Sequence, residues 1–137
     1  MKKVSIFIAI VTTLVLLTNC KKDDTTFDSY FYTRVPDSKT QLFLFLNDKN
    51  KGSLPHLEVP EMIYPMERCN NENINQNGLF LTLTVGKYTI SAKDQEGKIK
   101  SSHTVKVSKG RIKVTPSIGK NEMAAGDNCF ILDLYFD

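Results

Sequence analysis

The 137-residue chain contains no Trp, only two His and three Cys, and these small numbers exclude several classes of site. A zinc site needs three or four ligands at recognisable spacing, whereas His56 and Glu58 supply two at most. The sequence also lacks a Gly-x-Ser-x-Gly nucleophile motif, a Gly-rich phosphate loop and an Asp-x-Asp-x-Asp calcium loop. His103 is in phase with the apolar residues of a predicted strand, which places it at the rim of the core. We therefore expect no enzymatic activity, no metal and no cofactor.

An excess of charge of one sign is also missing. The formal net charge is +3, and the first nineteen residues hold two Lys and no acid, so the remaining 118 residues carry only +1. A nucleic-acid-binding domain is expected to be strongly basic, so nucleic acid is not an expected partner. The length corresponds to one domain with at most a short tail.

The N-terminal segment differs from the rest of the chain. Lys2 and Lys3 precede residues 4–17, an apolar run whose only polar side chains are one Ser and two Thr. This is the pattern of a secretory signal peptide, and the run is shorter than the about 20 apolar residues that a bilayer-spanning helix needs. We interpret residues 1–19 as a cleaved signal peptide, with a resident membrane anchor as the alternative.

The residues that follow the apolar run are Leu17-Thr18-Asn19-Cys20, and they resemble a bacterial lipobox. The resemblance implies cleavage before Cys20 and an N-terminal lipid on its sulfur. Two or three acyl chains would anchor the protein firmly, at about 0.8 kcal/mol per buried CH₂. Next comes Lys21-Lys22-Asp23-Asp24, which resembles the surface-export tag of Bacteroidota lipoproteins; a solvated spacer is the alternative. Together they imply a lipid-anchored outer-membrane protein that faces the cell surface, with a periplasm-facing protein as the alternative.

The rest of the chain reads as β-strands separated by turn residues, without a run of helical period. Alternation of apolar and polar residues, or a near-continuous apolar run in the case of 42–46 and 130–136, predicts eight segments: 29–35, 42–46, 52–54, 79–85, 87–93, 102–108, 111–115 and 130–136. The two near-continuously apolar segments are expected to be central strands covered on both faces. Hairpin turns are expected at 94–97 and 109–110.

Seven or eight strands with regular turn spacing favour an all-β fold, a single antiparallel β-sandwich over residues 28–137. Residues 20–27 are expected to form a short flexible leash. The stretch Val85-Gly86-Lys87-Tyr88-Thr89-Ile90, followed by Ala92, Asp94 and Gly97, resembles a strand and turn of transthyretin-like, carboxypeptidase-regulatory-like modules. Residues 44–54 with Pro55 resemble an earlier stretch of the same modules. The resemblance implies the architecture and a binding or scaffolding role, and it carries over no catalytic residue.

Two cysteines remain if Cys20 carries lipid. Cys69 and Cys129 would then lie in an exported chain, where a disulfide between them is the economical pairing. A catalytic or metal-binding cysteine is the alternative.

Basic residues are concentrated in one part of the sequence. Residues 87–113 hold eight basic and two acidic residues, a local charge of +6, so the remainder after residue 19 carries −5. Alternation predicts an outward face that carries five of these basic residues: Lys87, Lys93, Lys106, Arg111 and Lys113. Such a face attracts anionic partners, such as acidic glycans, lipid headgroups or an acidic protein. Ordinary solvation of exposed strands is the alternative.

A stretch without strand pattern covers residues 58–78, and loops of this length are usually functional or mobile. Its apolar residues are Met62, Ile63, Tyr64 and Met66. They are predicted to cap an open end of the sandwich, or otherwise to form an exposed contact patch that serves as a binding loop.

The sequence thus predicts a non-enzymatic, lipid-anchored β-sandwich that binds or scaffolds another envelope component, either a protein or an anionic glycan. Two alternatives stay open at this point. One is a periplasmic inhibitor or immunity lipoprotein that neutralises a hydrolase or toxin by inserting residues 62–66. The other is a scaffold lipoprotein of a secretion system.

Overall fold

The computed structural model describes residues 26–34, 40–58, 69 and 72–136. These residues form strands β1 (Thr26–Tyr32), β2 (Leu42–Leu46), β3 (Lys49–Leu54), β4 (Leu79–Thr84), β5 (Gly86–Lys93), β6 (Ile99–Ser108), β7 (Arg111–Ile118), β8 (Lys120–Ala125) and β9 (Cys129–Tyr135), and one short helix, α1 (Glu72–Asn77). Within the described ranges, no helix has the length and apolar character needed to cross a bilayer.

The strands form two sheets, with the orders β4-β1-β9-β8 and β3-β2-β5-β6-β7. The predicted all-β sandwich is therefore confirmed, with nine strands in the described part of the chain rather than seven or eight. Pairing is antiparallel between the described neighbours except for β1 and β9, which run parallel from Asp28 opposite Cys129 to Tyr32 opposite Asp133. No hairpin turn joins these two strands, since they are the first and last of the described strands, so connectivity does not impose antiparallel pairing on them.

The main core lies between the two sheets and is built by alternate residues of each strand. Its fully buried members include Phe27, Phe31, Leu44, Ile90, Ala92, Val105, Phe130, Leu132 and Leu134. The rings of Phe31 and Phe130 meet edge to face, with centroids 5.8 Å apart. Alternation in the sequence places Tyr88, Ile90 and Ala92 of β5 and Val105 and Val107 of β6 on the inward face, and all five pack in this core. Burying each large apolar side chain contributes about 1.5–3 kcal/mol.

A second apolar cluster covers the outer face of the four-stranded sheet and consists of Tyr32, Leu57, Cys69, Ile74 and Ile131. This cluster explains why β9 is buried on both faces, as predicted. The prediction for β2 is only half right, because its outward Phe43 and Phe45 are partly exposed.

The Cys69–Cys129 disulfide is present, as predicted, with the two Cα atoms 6.3 Å apart. It ties the second cluster to β9. Helix α1 lies in the stretch predicted as an irregular loop, and its Ile74 is fully buried beside Cys69. One apolar residue in six gives no helical period, so the sequence pattern could not reveal this helix.

Three further differences concern the start of β1, the burial of His103 and one additional strand. Strand β1 begins at Thr26, two residues before the predicted start of the domain, and Phe27 is buried rather than part of a leash. His103 is fully buried rather than at the rim of the core. Strand β8 was not predicted, because the sequence Lys-Asn-Glu-Met-Ala-Ala shows no alternation; it pairs with β9 along its whole length after a turn at Gly119, where φ is +74°.

Candidate functional site

The register of the five-stranded sheet places three of the predicted basic residues in one row. Lys87 of β5 lies opposite Lys106 of β6, and Lys106 lies opposite Lys113 of β7. All three side chains are exposed on the face turned away from the core. Since neighbouring strands are about 4.8 Å apart, the row spans about 10 Å at the backbone.

Two more basic residues extend this row to the end of the β6–β7 hairpin. Arg111 is exposed two residues before Lys113 on the same strand. Lys109 is exposed in the turn before it, where Gly110 has a φ of +69°. We call the set of five the basic end: Lys87, Lys106, Lys109, Arg111 and Lys113. Sequence reasoning missed Lys109 as part of this site because it considered only strand residues.

Lys93 does not join the basic end, contrary to the grouping predicted from the sequence. It lies opposite Phe43, six positions and about 20 Å along β5 from Lys87. Its ammonium group lies 4.3 Å from the centroid of the Phe45 ring and 3.7 Å from Oδ1 of Asp48. Lys93 therefore interacts with two residues of its own sheet, whereas the other four predicted basic residues lie together.

None of the described residues paired with a member of the row of lysines is acidic. Lys87, Lys106, Arg111 and Lys113 form no salt bridge with any described residue. Like charges directly opposite each other destabilise a strand pair by roughly 0.2–1 kcal/mol, so the arrangement is unfavourable for the isolated domain. The adjacent row along the same face is uncharged and hydroxylated: Thr89, Thr104 and Thr115. Ammonium groups beside hydroxyl donors suit phosphate, sulfate or carboxylate oxygens.

A second polar group lies on the outer face of the four-stranded sheet. The guanidinium of Arg34 donates from Nε to Oδ2 of Asp133 and from Nη2 to Oε2 of Glu122. Asp133 is 1% exposed, and its other oxygen, Oδ1, has no hydrogen-bond partner among the described residues. Burial raises the pKa of Asp133 to about 6, although the hydrogen bond and the charge of Arg34 oppose the increase. Sequence reasoning missed this group; the only signal was one acid inside the apolar run of β9.

The residues considered as metal ligands do not form a site. His56 is exposed and forms an isolated parallel bridge with Thr33. No cluster of three or more His, Cys, Asp or Glu side chains in the described ranges could hold a metal ion. The predicted binding loop (Met62, Ile63, Tyr64 and Met66), the predicted lipidation site Cys20 and the Lys21-Lys22-Asp23-Asp24 tag lie outside the described residues.

His103 is held inside the sandwich by three polar neighbours, the side chains of Ser101 and Asn121 and the backbone of Lys120. Oγ of Ser101 lies 2.6 Å from its Nε2, and Nδ2 of Asn121 lies 3.3 Å from its Nδ1. Burial lowers the pKa of His103 below its ordinary value of 6.5, so the imidazole is neutral in the folded protein at neutral pH.

His103 therefore gives a pH dependence of known sign. As the pH falls below about 6.5, the unfolded chain takes up a proton on this side chain and the folded protein resists it, so stability is lost on the acid side. We expect His103→Gln, which keeps a donor and an acceptor, to lose less stability than the wild type between pH 7 and 5.5. Urea unfolding at both pH values measures this. Equal losses in both proteins would contradict the prediction.

Comparisons with protein-family models, with curated proteins and with solved structures found no match.

Proposed function

We propose that this protein is a non-enzymatic lipoprotein, held in the outer membrane by lipid on Cys20, whose sandwich binds an anionic component of the cell envelope through the basic end. The observation that carries the proposal is the row formed by Lys87, Lys106 and Lys113. Like charges opposite one another lower the stability of the free domain. An anionic partner offsets this repulsion and is attracted by all three lysines.

The chemistry of the surface supports an anion rather than an apolar partner. The row of threonines beside the lysines offers hydroxyl donors at the spacing of neighbouring strands, and no acid lies in either row. Anionic groups repeated along a polymer or across a surface could each meet one ammonium group. Attraction of this kind is screened by salt, because the charges are exposed.

Charge reversal along the row tests the binding proposal. We expect Lys87→Glu/Lys106→Glu/Lys113→Glu to weaken binding to the sulfated polysaccharide heparin at low salt by at least about 100-fold, at roughly 1 kcal/mol for each lysine beside an anionic surface. The matched control is Lys51→Glu/Lys98→Glu/Lys120→Glu, which changes the net charge equally at exposed positions outside the basic end. Salt-dependent elution of the full chain measures both. Equal weakening in the two variants would mean that only net charge matters, and would refute the row as a site.

Lipid attachment and surface exposure are tested separately. We expect wild-type cells to incorporate labelled fatty acid into the protein and Cys20→Ala cells to incorporate none, because the thiol is the proposed acceptor. External protease on intact cells is expected to cleave the wild type and to spare a variant with Lys21, Lys22, Asp23 and Asp24 all changed to Ala. Protection of both proteins would overturn the surface orientation and favour a periplasm-facing protein.

A further inference from the structure

We propose that the anionic partner of the basic end is the headgroup layer of the membrane that carries the chain's own anchor. The basic end of the sandwich then contacts the membrane surface. The inference rests on the proposed function, from which it takes the lipid on Cys20, and it adds the identity of the partner and the orientation of the domain.

The chain enters the sandwich at the basic end. Thr26, the first described residue, lies opposite Thr84 at the end of β4. A single residue, Val85, connects β4 to β5, and Lys87 is the second residue of β5. The hydroxyl of Tyr88 donates to the carbonyl oxygen of Thr84 at 2.8 Å, which holds the two strand ends together.

The β6–β7 turn lies at the same end of the sandwich. Val107 pairs with Gly86, the first residue of β5, and Lys109 and Arg111 follow within the next four positions. Strand directions therefore bring the start of β1, the start of β5 and the β6–β7 turn to one end. That end carries all five residues of the basic end.

The segment between Cys20 and β1, which would tether the sandwich to the membrane, is short. Residues 20–25 number six, and six extended residues span at most about 20 Å. A lipid on Cys20 would hold Thr26 within that distance of the headgroups, and the lysine row is only about 10 Å long. At such a distance the effective concentration of headgroups is high, so weak contacts suffice for docking. A free glycan gains no such effective concentration from the tether, which is why we favour the membrane.

The rest of the surface at this end carries one exposed apolar side chain and a few acids. Val85 is 50% exposed between the two sheets, an apolar side chain that suits the boundary between headgroups and acyl chains. Two exposed acids at this end, Asp28 and Asp127, belong to the four-stranded sheet and the β8–β9 turn. A third, Asp48 in the β2–β3 turn, lies 3.7 Å from the ammonium group of Lys93, which offsets its charge.

The test is lysine footprinting on the full-length lipidated protein. The protein is reconstituted into vesicles of phosphatidylcholine alone, or of equal parts phosphatidylcholine and phosphatidylglycerol, and is treated with an amine-acetylating reagent. We expect acetylation of Lys87, Lys106 and Lys113 to slow by at least about tenfold in the anionic vesicles, since each basic residue at the surface contributes roughly fivefold to docking. Lys51 and Lys98 should react equally in both, and high salt should remove the difference.

Each outcome either supports or overturns the inference. In Lys106→Glu/Lys113→Glu, we expect the protein to float with the vesicles through its lipid while Lys87 and Lys109 react alike in both vesicle types. A wild type that floats with both vesicles but shows no difference at Lys87 and Lys106 would overturn membrane docking and leave the anchor intact. A wild type that does not float would overturn the lipid anchor and the inference with it. Acetylation of Lys87 and Lys106 that stays fast in the anionic vesicles and slows only when heparin is added would identify a glycan as the partner and also overturn the inference.

Discussion

Loss of the Cys69–Cys129 disulfide is expected to lower the free energy of unfolding by about 4 kcal/mol, because a cross-link between residues 60 positions apart removes much of the loop-closure entropy of the unfolded chain. This is a large fraction of the about 5–15 kcal/mol by which domains of this size are stable. We expect the melting temperature to fall by roughly 15 °C, at about 4 °C per kcal/mol.

The bridge also has a role in the folded state. It fixes Cys69 against β9, and the second cluster, with Ile74 of α1 fully buried, is assembled around that attachment. The main core between the sheets includes neither cysteine. The reduced protein is therefore expected to keep its β-sheet circular dichroism at low temperature while α1 exchanges its amide hydrogens faster.

Thermal and urea unfolding of the wild type with and without reductant measure this effect. The double variant Cys69→Ser/Cys129→Ser removes the bridge genetically. Its melting temperature should match that of the reduced wild type, apart from a small destabilisation by the two hydroxyl groups. The variant itself is the control for the reductant, since adding reductant to it should change nothing. A melting temperature unaffected by both treatments would show that the bridge contributes nothing to stability.

Much of the sandwich could be predicted because local alternation is strong where one sheet face is buried. Tyr88, Ile90 and Ala92 repeat with period two, and so do Val105 and Val107, which fixes the inward face of β5 and β6 without knowledge of their neighbours. Strand β8 could not be predicted, because pairing with β9 rather than its own pattern makes it a strand. The parallel pairing of β1 and β9 is likewise a property of strand order, which alternation does not contain.

The candidate site shows the same division. Alternation predicts that Lys87, Lys106 and Lys113 point outward, but only the register places them directly opposite each other. The register also separates Lys93 from them, since a residue of equal phase on the same strand can lie far along it. The Arg34–Asp133 contact joins residues 99 positions apart and leaves no local signal at all.

The buried ion pair gives the second large expected effect. Arg34→Leu removes the partner of Asp133, whose side chain is 1% exposed and already has one oxygen without a hydrogen bond to any part of the chain that the structure describes. An uncompensated buried carboxylate is expected to cost about 3 kcal/mol of stability at pH 7. Glu122→Gln is the matched control, because it removes the other carboxylate that Arg34 contacts, which is 38% exposed and contributes at most about 1 kcal/mol.

The pH dependence separates this explanation from a simple loss of packing. The pKa of Asp133 is raised to about 6 in the folded protein, against about 3.9 in an unfolded chain, so its protonation stabilises the fold below about pH 4 and that contribution is lost as the pH rises through 6. Without Arg34, which lowers this pKa, the carboxyl takes up its proton at still higher pH. The deficit of Arg34→Leu relative to the wild type should therefore shrink between pH 7 and 5, as measured by urea unfolding. Arg34→Leu/Asp133→Asn should recover stability at pH 7 and show no such shrinkage, whereas a deficit of Arg34→Leu that is equal at both pH values would assign the loss to packing alone.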